Sequence, residues 1–403
     1  MNKIGICMII AVTMSGLLRL PSARALSASS TPNVTVSARG VVQYPASDPS
    51  TPINTATYFY GFGSFTGTQI SFIATHFALL DVSFGTSLTS LQAIKTANPN
   101  IKIIGYKDLI GKSPGSDDWA EVNSHEEWFV HDASGNRILN TAWNWYLMDV
   151  ASTGWRQHFV SYVNSELSSQ PSYDGVFADD AWNTIASWAL SSFDKTIPAS
   201  VISNWHANTI GFLQYAKANL LSGKLLIVNS DEWNTNDYIN IVDGQMLEGY
   251  EHCSWIPVTT VETDRPSVSV LASKCTTGKI VWAGSGAVIT GVNQAQIELM
   301  VKYCYASFLM GMSGSKAYLG WDQGDFFSSY QMIMDTDIGQ PVASYYSAQN
   351  VQMRDFTKGR VLLNPSANSH TVSLGGNYQL LNGTALSSIV LAPWSGEILL
   401  SLT

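Results

Sequence analysis

Cysteine is scarce in this chain: four in 403 residues, of which Cys7 falls in the first apolar stretch. A disulfide-built scaffold is therefore excluded, and the remaining Cys253, Cys275 and Cys304 allow at most one internal bridge. Cys253 and Cys275 flank one connection and are the expected pair, while Cys304 sits in an apolar helical run and reads as a buried thiol. Charge is also sparse, at 13% of residues, and no Lys/Arg cluster of the kind that tracks phosphates occurs, so nucleic acid is not an expected partner. An uncharged substrate suits this composition better. No CxxC, HExxH or paired-His pattern calls for a metal, and no glycine fingerprint calls for a dinucleotide, so no cofactor is expected. Past the N-terminus no apolar run reaches the length of a membrane span.

The N-terminus itself has Lys3, an apolar stretch from Ile4 to Leu18 and the small-x-small tripeptide Ala23-Arg24-Ala25. That pattern predicts a signal peptide over residues 1–25 and an exported, secreted protein. Its removal takes away Lys3, Arg19 and Arg24 and no acid, moving the formal net charge from -9 to -12. Residues 26–55 are rich in Ser, Thr, Pro and Ala without a hydrophobic period and read as a flexible leader.

Eight short apolar runs follow: Thr57 to Gly61, Phe77 to Ser83, Ile101 to Tyr106, Asp174 to Asp179, Lys224 to Asn229, Val242 to Glu248, Lys279 to Ala283 and Lys316 to Gly320. Helical spacing separates several of them, as in Leu88, Leu91 and Ile94 before Asn98-Pro99, and alternating strands and helices imply parallel pairing. Eight such units over about 270 residues is the size of one (β/α)8 TIM barrel. The expected barrel spans residues 56–345. After Ser344, the six short runs Val351 to Phe356, Arg360 to Leu363, Thr371 to Leu374, Tyr378 to Leu381, Ser388 to Leu391 and Glu397 to Leu400, split by Gly, Asn, Pro and Ser turns, predict a C-terminal all-β sandwich over residues 346–403.

Two of the eight strands stop on acids. Tyr173-Asp174-Gly175-Val176-Phe177-Ala178-Asp179-Asp180 puts Gly175, Phe177 and Asp179 on one face, and strand alternation sends Asp180 to the other. Ile241-Val242-Asp243-Gly244-Gln245-Met246-Leu247-Glu248 aligns Gly244, Met246 and Glu248 in the same way. The carboxyl ends of barrel strands carry the chemistry, and two carboxylates delivered there are what glycosidic cleavage needs. A lone Asp at such a place is as often a helix cap. The pair is the stronger signal.

Asp179 and Glu248 are thus the candidate catalytic residues, with Glu232 and Glu251 as competitors of Glu248. Asp108, Asp180 and Asn229 follow other strand ends and are candidates for binding sugar hydroxyls. The long connection from Lys107 to Tyr173 carries Trp119, Trp128, Trp143, Trp145 and Tyr146, and long loops at the catalytic end of a barrel are usually functional. Of thirteen tryptophans, Trp143, Trp145, Trp182, Trp233 and Trp321 stand in this loop or at strand ends and are expected to line a cleft, whereas Trp155 and Trp282 are expected in the core.

Asn98-Pro99-Asn100-Ile101-Lys102-Ile103-Ile104-Gly105-Tyr106, Trp143-Asn144-Trp145-Tyr146-Leu147-Met148-Asp149-Val150, the strand from Asp174 to Asp179 and the tail Ala392-Pro393-Trp394-Ser395-Gly396 resemble the hypothetical glycoside-hydrolase-like barrel families. The chain is also distantly similar to the α-glycosidase barrels, whose fourth strand runs glycine, any residue, basic residue, any residue, aspartate. Gly175 and Asp179 match that frame, and Phe177 stands where the basic residue would be. The resemblance implies a secreted glycoside hydrolase acting on a poly- or oligosaccharide, with Asp179 as nucleophile or base and Glu248 as acid. The alternative is a carbohydrate-binding barrel without catalysis, in which the two acids would stand far apart.

Overall fold

The computed structural model describes residues 53–60, 63–185, 187–251, 266–286, 293–322 and 326–402. The expected signal segment, most of the expected leader and Cys253 lie outside the described residues, and with Cys253 goes the expected bridge to Cys275.

Eight parallel strands close into a barrel in sequential order: Asn54–Phe59, Leu79–Ser83, Lys102–Asp108, Gly175–Asp179, Leu225–Asn229, Gly244–Glu248, Ile280–Gly286 and Ala317–Asp322. All eight expected strands form. The first pairs with the eighth, Asn54 opposite Tyr318, which removes every free edge. Side chains alternate between the lumen and the surrounding helices. Inside, Ala56, Leu79, Ile104, Phe177, Ile227, Met246, Ile280, Trp282 and Tyr318 fill the barrel as one buried cluster. Trp282 fits because its neighbour is Gly320, where an added Cβ would come within 2.4 Å of the indole Nε1. Trp282 and Trp155 are both core residues, at 1% and 0% exposure.

The outer helices begin where side chains cap their free N–H groups. Thr66 and Gln69 form a reciprocal capping box on Gly67–His76, as do Asn293 and Gln296 on Gln294–Gly311. Ser152 caps Thr153–Ser169 by accepting from the Trp155 N–H. The long connection after the third strand is not plain loop: Gly111–Lys112, Leu139–Asn140 and Trp145–Leu147 pair as a three-stranded antiparallel sheet.

Beyond the barrel, six antiparallel strands form one continuous hydrogen-bonded sheet: Tyr346–Ala348, Val351–Phe356, Gly359–Asn364, His370–Leu380, Ala385–Leu391 and Ser395–Ser401. The runs from Thr371 to Leu374 and from Tyr378 to Leu381, read as two strands from sequence, belong to one strand with a register shift between Ser373 and Tyr378. Gly375 takes a φ of 65° in that shift, so the glycine pair makes a bulge where a turn was expected. Val351, Met353 and Leu362 share a buried cluster with Val372, Leu374 and Leu391, giving the domain its own apolar interior.

Candidate active site

The fourth strand delivers Asp179 and then stops, because Asp180 takes a left-handed φ of 55°. Its neighbours hold the end in place: the Leu109 N–H donates to the Asp179 carbonyl and the Ala181 N–H to the Asn229 carbonyl, each at 2.9 Å. The Asp179 carboxylate receives three donors. Tyr106 Oη lies 2.8 Å from Oδ2, Asn229 Nδ2 lies 2.9 Å from Oδ1, and the Asp180 N–H donates to Oδ1 at 2.9 Å. Burial pushes the Asp179 pKa up, against the pull of the Asn229 and Tyr106 hydrogen bonds.

The same Asn229 amide nitrogen also donates to Glu248 Oε2, at 2.7 Å. One nitrogen therefore bridges the two candidate carboxyls. The two N–H bonds of a primary amide diverge by about 120°, which sets the bridged oxygens roughly 5 Å apart. Alternation explains the meeting, since Asp179, Asn229 and Glu248 close adjacent strands and all face the lumen.

Other acids crowd the same mouth. Asp108 closes the third strand opposite Asp179, and its Oδ1 accepts from the Ile110 and Gly111 N–H groups at 2.8 and 2.7 Å. Its pKa is pushed up to about 7 by burial and then by the charge of Asp179. Alternation alone would send Asp180 outward. The left-handed backbone ends that alternation, and the Asp180 pKa rises well above the usual range through burial and then through Asp179, Asp108 and Glu248. Deeper in the lumen, Asp81 is fully buried, accepts from Tyr60 Oη at 2.5 Å and is likewise raised by burial. The Tyr60 ring lies 4.7 Å from that of Tyr106, which completes a chain of contacts from Asp81 to Asp179.

The tryptophans divide. Trp182 donates its indole N–H to Asp180 Oδ1 at 2.9 Å, and the Trp145 ring lies 6.1 Å from that of Trp182, tilted by 54°, while abutting Gly111 beside Asp108. Trp143 is half-buried against the same core. Trp233 and Trp321 belong to the other core cluster, packed toward the helix Gln294–Gly311. The reason for Trp321 is register: the eighth strand runs to Asp322, two residues past its expected end at Gly320, so Trp321 faces outward at 3% exposure and Asp322 takes the lumen position.

Glu232 and Glu251 go elsewhere. Glu232 pairs with Lys274 Nζ at 2.9 Å, both groups fully buried. Glu251, with a φ of 57°, accepts from Ser307 Oγ at 2.5 Å on the helix Gln294–Gly311. Residues that sequence reasoning passed over are Tyr58, whose hydroxyl donates to the Asp322 carboxylate, together with Tyr60, Asp81, Tyr106 and Asp322 itself. Asp81 had a signal, an acid inside the apolar run Leu79-Leu80-Asp81-Val82.

A closed parallel barrel with carboxyls gathered at the carboxyl ends of its strands is the architecture of the barrel glycosidases. The chain belongs to hypothetical glycosyl hydrolase family 15, whose model matches residues 95–360. Among solved structures it is similar to a noncanonic maltogenic α-amylase from Thermotoga neapolitana, at 11% identity and a TM-score of 0.50, covering 88% of this chain and 100% of that one. It is also similar to a GH36 α-galactosidase from Geobacillus stearothermophilus (9% identity, TM-score 0.48, 90% of this chain and 56% of that one). A third is the glycoside hydrolase domain of PelA from Pseudomonas aeruginosa (13% identity, TM-score 0.45, 67% and 94%). At such identities the likeness is one of fold. No curated protein sequence matches the chain.

Proposed function

We propose that this protein is an exported glycoside hydrolase that cleaves glycosidic bonds of a poly- or oligosaccharide with retention of configuration. The observation that carries this reading is the single Asn229 amide donating to both Asp179 and Glu248. Retaining enzymes hold their two carboxyls about 5–5.5 Å apart, whereas inverting enzymes leave about 6.5–9.5 Å for a water molecule. A spacing of one amide bridge fits the first.

In this mechanism Asp179 attacks the anomeric carbon while Glu248 gives its proton to the leaving oxygen, and the bond between them breaks. Glu248 then takes a proton from water, which displaces Asp179 from the sugar. The three donors around Asp179 suit the nucleophile, because they favour its ionised form and aim its lone pairs. Asp108, Asp180, Trp145 and Trp182 border the pair and would hold the sugar, and Trp143, Trp233 and Trp321 would contribute only at a greater remove. A sugar-binding barrel without catalysis has no need of two carboxyls one amide apart.

Purified protein tested against polysaccharides and aryl glycosides should release product with the anomeric configuration of its substrate, followed by NMR at early times. Asp179→Asn and Glu248→Gln should each lower turnover by about 10²–10⁴-fold or more while sugar binding survives. Full activity in either variant, or an inverted first product, would refute the assignment.

A further inference from the structure

The proposed cleavage needs one oxygen of Asp179 to attack, and the hydrogen bonds of that carboxylate tell its two oxygens apart. Oδ1 accepts from Asn229 Nδ2 and from the Asp180 N–H, both at 2.9 Å. Oδ2 accepts from Tyr106 Oη alone among the described residues, at 2.8 Å. A carboxylate oxygen offers about two lone-pair sites. Those of Oδ1 are both taken by N–H donors, whereas Oδ2 keeps one to aim at an anomeric carbon.

The phenol on that oxygen is held by its neighbours. Tyr106 faces the lumen opposite Phe177 of the fourth strand, with the two rings 6.4 Å apart and tilted by 40°. The Tyr60 ring lies 4.7 Å from it, and Tyr60 is itself pinned, donating to Asp81 Oδ2 at 2.5 Å. These rings fix the Tyr106 side chain so that its hydroxyl reaches past Phe177 to Asp179, the next lumen position of that strand. Burial and then the charge of Asp179 push the Tyr106 pKa well above its ordinary value, so the hydroxyl keeps its proton and acts as the donor.

We propose that Oδ2 is the attacking atom of Asp179 and that Tyr106 is a third catalytic residue, whose hydroxyl stabilises the carboxylate as it leaves the sugar. The inference rests on the retaining reading of the pair. In the first step a lone pair of Oδ2 forms the bond to the anomeric carbon, the bond to the leaving oxygen breaks, and that oxygen takes the Glu248 proton. Oδ2 loses its charge in the resulting ester, and the Tyr106 hydrogen bond weakens. In the second step Glu248 takes a proton from water, the water oxygen bonds to the anomeric carbon, and the electron pair of the carbon–Oδ2 bond returns to Oδ2. The Tyr106 hydrogen bond regains its strength as that charge develops, and a donor already in place there speeds the step. Oδ1 keeps its two N–H donors throughout and anchors the group.

Tyr106→Phe removes the donor and keeps the ring. The test uses dinitrophenyl glycosides of the sugars that the full chain turns over, whose good leaving group makes the first step fast. The variant should release a burst of dinitrophenolate equal to the enzyme concentration. Its steady kcat should then run about 10- to 100-fold below the parent's, the worth of a hydrogen bond to a charged group, with KM lowered in step. A residue that only packs the lumen would lower kcat/KM and give no such burst, and that result, or a kcat equal to the parent's, overturns the proposal. Where circular dichroism shows that the variant does not fold, the unmodified protein decides. Crystals of the chain trapped with fluorinated glycosyl fluorides of the same sugars, which form the ester quickly and hydrolyse it slowly, should show the ester on the oxygen that Asn229 does not hold. An ester on the other oxygen overturns the assignment. The two readings fail separately: an inactive Asp179→Asn beside a Tyr106→Phe of parental kinetics sinks this inference and leaves the hydrolase standing, whereas an inverted first product, or no turnover by the unmodified protein, ends the retaining reading and this inference with it.

Discussion

Asn229 is 8% exposed and its amide nitrogen donates to both carboxyls, so in the proposed mechanism it fixes their separation rather than touching the reacting atoms. Asn229→Ala should lower kcat by about 10²-fold, the cost of a misplacement of about 1 Å, with a smaller change in KM. An unchanged kcat would show that the strands alone hold the pair. Glu251 gives a prediction of another kind. Burial pushes its pKa up to about 7, so between its ordinary value near 4.5 and about 7 the folded chain binds more protons than the unfolded chain. Its contribution to stability is therefore full at low pH and is lost as pH rises through that window. Glu251→Gln removes the loss, and the variant should be more stable than the parent by roughly 1–3 kcal/mol above pH 7, with the gap closing toward pH 4. Thermal denaturation across that range checks both ends. At this scale the sequence was readable wherever an acid or amide closed an apolar run, which is how Asp179, Asn229 and Glu248 could be found. Asp81 and Tyr106 escaped because a period of two says that residues share a face, not which face is the lumen.

The long connection after the third strand depends on one buried carboxylate. Asp118 receives Lys107 Nζ at 2.7 Å from the third barrel strand, Lys112 from the short sheet, and His158 Nε2 at 3.0 Å from the helix Thr153–Ser169. Lys107 also lies over the Tyr162 ring, 3.3 Å from its centroid, and its pKa is pushed down to about 7 by burial and then by Lys112. Removing the shared anion strands two ammonium groups out of water. Asp118→Asn should cost about 3–5 kcal/mol by denaturant titration, the range for breaking a buried ion pair from one side. Activity should fall with it, since Lys107 sits between Tyr106 and Asp108 in the strand that feeds the mouth. A loss under about 1 kcal/mol would mean that the cluster is wet and weak. The eight barrel strands could be read because each carries a short run of mostly apolar residues, and six of them end on a polar side chain, Ser83, Asp108, Asp179, Asn229, Glu248 and Asp322. The three strands inside the connection could not, because two or three residues carry no measurable period.

At the scale of the whole molecule, the helix Gln294–Gly311 serves two masters. Met300, Tyr303, Phe308 and Leu309 lie in one buried cluster with Leu247 and Leu319 of the barrel and with Val361, Leu363 and Ile398 of the C-terminal sheet. Arg354, from that sheet, donates through Nη1 to the carbonyls of Leu309, Met310 and Met312 at 2.7, 2.9 and 2.8 Å, and through Nε to the Ala343 carbonyl at 2.9 Å. A cation at a helix C-terminus satisfies carbonyls that the helix leaves open and complements its dipole. Gly396 brings the sheet so near that an added Cβ would fall 2.5 Å from the Ala306 Cβ. The sheet is thus a distinct layer of structure but shares its core with the barrel, and the two should unfold together in a single calorimetric transition. Arg354→Met should lower the midpoint, at a cost of about 2–3 kcal/mol for a charged hydrogen-bonding group that leaves buried carbonyls behind. Gly396→Ala should cost about 1–3 kcal/mol by overpacking. Neither change touches the carboxyls of the mouth, so activity per folded molecule at low temperature should stay at the parent's level. Two resolved transitions in the unmodified protein, or an Arg354→Met variant of unchanged midpoint, would mean that the barrel stands without the sheet and that the shared helix belongs to it alone.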